Sequence, residues 1–174
     1  DAGYNMLLAS NSYNADKEYE QITQMVSHGM DALLLVGQSR DKRIYELLNA
    51  KKIPYVLTWA IDVKLEHPCI GFDNHAASSD ITRYLLHLGH TKFAMISGFI
   101  DNNDRAYDRL QGVRDTLSKK DLILSDDNVL QRGFGIEEGR DAFRLLMSRA
   151  DKPTAIICGS EPFAYGVIFE AQKM

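Results

Sequence analysis

Short apolar runs alternate with amphipathic stretches from one end of the chain to the other. Runs of strand type fall at residues 5–10, 32–36, 54–58, 69–73, 93–97, 129–132 and 154–158, each bounded by polar or glycine-containing segments. Between most of them apolar residues recur at helical spacing. A first helix is predicted over 15–28, with Tyr19, Ile22 and Val26 on one stripe, Asn14 as N-cap and Gly29 as its stop. Others are predicted over 43–50, over 76–88 with Ala77, Ile81, Leu85 and Leu88 aligned, over 104–118 with Ala106, Leu110, Val113 and Leu117 aligned, and from Pro162 to the end.

Strand–helix–strand alternation with continuously apolar strands implies parallel strands covered on both faces, the doubly wound α/β architecture. Sheets of this kind take ligands beyond the carboxyl ends of their strands. The residues to watch are therefore those after each strand: 11–14, 37–41, 59–62, 98–104, 133–136 and 159–162. One connection, 60–68, joins two strands with no helix between them, and the polar segment 98–103 is the expected lobe boundary.

Composition narrows the class. The 174 residues are 45% hydrophobic and 25% charged, the balance of an ordinary globular domain. Cys69 and Cys158 are the only cysteines, too few for a disulfide framework or a metal cluster, and a reducing cytoplasm is the expected setting. No apolar run approaches the roughly 20 residues of a membrane span, and the opening Asp1-Ala2-Gly3-Tyr4-Asn5 has no signal-peptide character. Twenty Lys and Arg against 24 Asp and Glu leave a net charge of −4, the wrong sign for residues that themselves grip a phosphate backbone.

Motifs for catalysis are absent. There is no G-x-S-x-G elbow, H-E-x-x-H, P-loop or kinase motif. Gly133-Phe134-Gly135-Ile136-Glu137-Glu138-Gly139 follows a strand and opens a helix, but Glu138 stands where a dinucleotide fingerprint needs glycine, and acids in the first helical turn repel pyrophosphate. His87 and His90 have the spacing of a metal pair, but Gly89 interrupts their helix and no third ligand is near. No metal and no cofactor are expected.

Three strand-end features carry more. Arg105 and Arg109 lie four apart in the opening turns of a helix, where cations oppose the dipole and repel each other. Either Asp101 and Asp108 neutralise them, or they grip hydroxyls or a carboxylate in a cleft. Trp59, the only tryptophan, follows the strand Tyr55-Val56-Leu57-Thr58; it either lids the core or stacks on a sugar ring. Phe134 is a second aromatic just past a strand.

These residues sit within a recognisable series. Gly71-Phe72-Asp73-Asn74 with Ala76-Ala77, then Leu88-Gly89-His90-Thr91-Lys92 leading to Ile96-Ser97-Gly98, then Arg105 through Arg109-Leu110-Gln111-Gly112, and finally Thr154 through Glu161 with Ala164-Tyr165-Gly166 and Glu170-Ala171, resemble the effector-binding core of the LacI family of transcription regulators. Within that family the gluconate-operon repressor branch looks closest. The resemblance implies a periplasmic-binding-protein-like fold of type I. In it, two doubly wound lobes with mostly parallel sheets, 1–98 and 99–174, would hold a sugar or sugar acid between them.

By motif, Arg109 is implied as an effector contact, Phe134 and Trp59 as cleft aromatics, and Arg105 and Asn103 as neighbours on the same turn. Ser160 and Glu161 stand where the family usually has Asn-Asp. The resemblance further implies a homodimer, operator DNA bound through a headpiece outside this chain, and no membrane partner. Set against the family, the chain is apparently truncated at both ends, lacking the headpiece, the first strand and helix of the first lobe, and the segments beyond the Gly166 helix. The competing expectations are a solute-binding protein for sugar uptake and an α/β enzyme acting on a sugar.

Overall fold

The computed structural model describes residues 3–62, 64 and 66–174. Asp1 and Ala2 of the opening segment, and Val63 and Leu65 of the irregular connection, lie outside the described residues. The contacts cluster in two compact units, Asp1–Gly71 and Phe72–Met174. The division falls after Gly71, and the boundary expected at residue 98 lies inside the second unit, at the end of its central strand.

The first unit contains α1 (Ala15–Ser27), β1 (Leu33–Val36), α2 (Lys42–Ala50), β2 (Tyr55–Thr58) and β3 (Cys69–Ile70). Its sheet is parallel, in the order β1-β2-β3. The chemistry expected at the helix ends is present: the Asn14 side chain accepts from the Lys17 backbone N–H at 2.9 Å, and Gly29 turns the chain at a φ of +81°. Ile22 of α1 and Ile44 and Leu48 of α2 pack on Leu35 and Leu57 of the sheet. Because strand side chains alternate, Leu34, Val36 and Ile70 face the other way and are exposed.

Residues 5–10, expected as a strand, form none. A strand exists through its ladder, and among the described residues no strand pairs with this segment, so Met6 and Leu8 are 87% and 91% exposed.

The second unit comprises α3 (Asn74–His87), β4 (Phe93–Gly98), α4 (Asp104–Ser118), a short 3₁₀ turn, β5 (Val129–Arg132), α5 (Ile136–Met147), β6 (Ala155–Cys158) and α6 (Glu161–Ala171). Its parallel sheet runs β5-β4-β6, and every residue of β4 is buried. Alternation on β4 builds the two cores. Phe93 and Met95 meet Leu110, Val113 and Leu117 of α4, while Ala94 and Ile96 meet Ala142 and Leu146 of α5 and Phe163 of α6. Here the sheet is covered on both faces, as continuously apolar strands require.

Candidate functional site

The end of β6 and the start of α3 meet at one arginine. Arg109, in the second turn of α4, donates from Nε to Asn74 Oδ1 at 2.9 Å and from Nη1 to the Gly159 carbonyl at 2.6 Å. It thereby ties the start of α3 to the end of β6. Ser160 and Glu161 follow at the head of α6, and these three residues share a cavity of about 330 Å³ with apolar walls from Ala77, Ile81, Met95, Ile157 and Ala164. Cys158 is in the same wall, and burial pushes its thiol up to about 11.

Two buried hydroxyl oxygens, Ser97 Oγ and Ser160 Oγ, have no hydrogen-bond partner among the described residues. Ser97 lies beside Gly159, where an added Cβ would sit 3.4 Å from the Ser97 Cα, and Ser160 lines the cavity at the α6 N-terminus. Buried groups of this kind cost stability until water or a ligand satisfies them.

Phe134, after β5, stacks on Phe163 with centroids 5.6 Å apart. Its ring lies directly over Gly98: a Cβ at that position would sit 2.3 Å from the Phe134 ring. Phe134 is 46% exposed at the carboxyl end of the sheet.

The other two candidates of this unit have inward duties. Asn103 is 2% exposed and caps α4, its Oδ1 accepting from the Ala106 N–H and its Nδ2 donating to the Phe99 carbonyl. Arg105 is 8% exposed and pairs with Asp104 at 2.8 Å, which offsets the cation's conflict with the helix dipole. Asp108 titrates above the usual carboxylate range, through burial first and then the charges of Asp104 and Asp73.

Trp59 belongs to the first unit. It directly follows β2, 58% exposed, with a φ of +63°. Its N–H donates to the Ile70 carbonyl, and Gly71 lets the two segments pass closely, because a Cβ there would sit 2.5 Å from the Ala60 nitrogen. A bulky residue in the left-handed region is strained, a condition concentrated at functional positions.

Sequence reasoning missed Asn74 as a site residue. It appears only as the last letter of the Gly71-Phe72-Asp73-Asn74 motif, and an asparagine at a helix start ordinarily signals a turn. The His87/His90 pair resolves differently, since the His90 ring bonds Thr154 Oγ1 at 3.1 Å. Among the described residues no three His, Cys, Asp or Glu side chains gather as a metal site, and no helix is long and apolar enough to cross a membrane.

Parallel α/β units with a polar cluster at the strand ends define a ligand-binding class rather than any one member of it. The model of the family described as periplasmic binding proteins and sugar binding domain of LacI family matches residues 1–174, and the chain belongs to that family. Catabolite control protein A of Priestia megaterium is 26% identical over 169 residues, covering 97% of this chain and 51% of that protein. The transcriptional repressor PurR of Salmonella paratyphi B is 26% identical over 174 residues, covering 99% and 51%.

Among solved structures, the transcription regulator GntR from Chromobacterium violaceum superposes with a TM-score of 0.87 at 25% identity, over 99% of this chain and 63% of that one. A LacI-family regulator from Lactobacillus casei, solved with bound sucrose, shares the fold with a TM-score of 0.85 at 22% identity, over 98% and 63%. The chain spans about half the length of the curated relatives it matches.

Proposed function

We propose that these residues are the effector-sensing core of a LacI-type transcriptional regulator, and that the effector is a sugar or sugar acid. The carrying observation is the Arg109 guanidinium, set at the carboxyl ends of β4 and β6 by bonds to Asn74 and Gly159 in a chain whose relatives include named transcriptional regulators.

In this reading Arg109 holds hydroxyl or carboxylate oxygens, because its planar donor fork matches paired oxygens. Phe134 stacks on the apolar face of a sugar ring, and Trp59 is read separately, as an exposed aromatic of the first unit suited to the same kind of contact. Ser160 and Glu161 bond hydroxyls at the head of α6, and Asn103 and Arg105 shape the turn that presents Arg109. The action is binding rather than turnover. The effector favours one conformation of the regulator, and that difference in affinity shifts how the whole protein, a homodimer in this proposal, engages operator DNA through a separate segment.

The test is calorimetry of full-length protein against a panel of sugars and sugar acids. Arg109→Ala is expected to reduce affinity for the recognised compound by at least about 100-fold, in line with removing a charged, multiply bonded anchor, while the protein without ligand still unfolds in one cooperative transition, at a lowered melting temperature because Asn74 Oδ1 and the Gly159 carbonyl lose their donor. Undiminished affinity would reject Arg109 as the grip.

A further inference from the structure

Arg109 is useful to an effector only if its guanidinium plane is fixed before the effector arrives, and the structure shows how that is done. The Nε bond to Asn74 Oδ1 and the Nη1 bond to the Gly159 carbonyl leave the group from different positions on its plane. Two such anchors define the plane's orientation as well as its position. Gly159 contributes a backbone carbonyl, which any residue would supply. Asn74 contributes a side chain, and that side chain is chosen by chemistry.

Arginine can only donate, so its partner must present an oxygen, and Asn74 does so while its Nδ2 is oriented toward the Phe72 carbonyl. Asn74 is 3% exposed and sits in the first turn of α3, whose N-cap Asp73 accepts from the Ala76 N–H at 2.9 Å. The spacing of α3 and α4 is held about one turn further along. At Gly112, one turn beyond Arg109, an added Cβ would sit 2.3 Å from the His75 carbonyl, and Ser79 Oγ donates to the Gly112 carbonyl at 3.2 Å. The two helices therefore meet at one fixed separation just where Asn74 faces Arg109.

We infer that Asn74 is the positioning residue for Arg109, holding the guanidinium by Nε in the orientation that receives the effector. The inference rests on the effector reading of Arg109 and adds a condition to it: a neutral oxygen acceptor is required at position 74. A neutral acceptor at position 74 orients the cation and brings no opposing charge of its own, whereas a carboxylate there orients it and adds a negative charge beside it.

Full-length wild type, N74A, N74D and R109A are compared by calorimetry with D-gluconate as the anionic probe and sucrose as the neutral one. Exchange of the Arg109 Nε–H with solvent is followed by NMR in the unliganded proteins. N74A is expected to accelerate that exchange and to weaken binding, each by at least about tenfold. N74D keeps an acceptor, so exchange and sucrose affinity stay within about threefold of wild type while gluconate affinity falls by at least about tenfold. A merely structural asparagine would lower the melting temperature of N74A and leave the gluconate-to-sucrose affinity ratio unchanged in N74D. Unaltered exchange in N74A overturns the Asn74–Arg109 link whatever the probes do. R109A binding like wild type overturns the effector reading instead, and loss in R109A with full affinity in N74A overturns the positioning role alone.

Discussion

Trp59 holds a φ of +63° that an indole-bearing residue adopts only under constraint, at a cost of about 1–2 kcal/mol. Glycine would relax that strain, so Trp59→Gly is expected to change unfolding free energy by less than about 1 kcal/mol, the relief offsetting lost packing. If Trp59 stacks on a sugar ring as proposed, effector affinity should nonetheless fall at least about tenfold. Denaturant titration and calorimetry on the same protein separate the two effects.

Glu170 responds to acid. Its carboxylate bonds Arg144 and Arg140, and that pairing pulls it from 4.5 down to about 2. A depressed acid stabilises the fold above its unfolded value and loses that contribution as pH falls toward the folded one. Between about pH 4.5 and 2, wild type should therefore lose melting temperature more steeply than Glu170→Gln, with the two curves converging at the acid end. Parallel curves across that range would show the pairing to be inert. At this scale legibility was uneven. Arg109 stood out because a cation at the start of a helix is electrostatically misplaced, whereas Asn74 carried no such anomaly and needed the fold to bring it to its partner.

Helix pairs in the second unit approach through glycine. A Cβ on Gly166 of α6 would lie 2.2 Å from the Ile136 carbonyl oxygen of α5, and one on Gly139 of α5 would lie 2.6 Å from the Phe163 carbonyl oxygen of α6. These obstacles are backbone and cannot rotate away. Gly166→Ala is expected to destabilise the protein by about 1–3 kcal/mol, the usual cost of overpacking, despite alanine's better helix propensity; a denaturation midpoint at or above wild type would contradict it. Two of the glycines that carried the family resemblance, Gly112 and Gly166, thus keep helices close. The elements themselves were legible from period and caps, with Asn14 and Gly29 doing what their chemistry predicts. Residues 5–10 read equally well as a strand and are not one, because periodicity reports the strand and is silent on the neighbour that must complete it.

For the molecule as a whole, alternation of strand and helix was enough to give the parallel α/β class, since apolar strands without gaps have few other homes. The division after Gly71 was not legible. It falls in Gly71-Phe72-Asp73, a segment whose composition differs little from the polar turn at 98–103. Under the proposed function an effector must bind one arrangement of the regulator better than another, with a free ligand at 100 times its dissociation constant adding about 2.7 kcal/mol to the favoured state.

Gly98 bears on which effector that is. The Phe134 ring rests where a side chain at position 98 would be, so the depth of the aromatic floor is set by a residue that contributes only vacancy. A side chain at position 98 would push the Phe134 ring aside while leaving the bonds of Arg109 untouched. Under the proposed function, position 98 is thus a dial for the size of the accepted molecule that is separate from the groups proposed to recognise its oxygens.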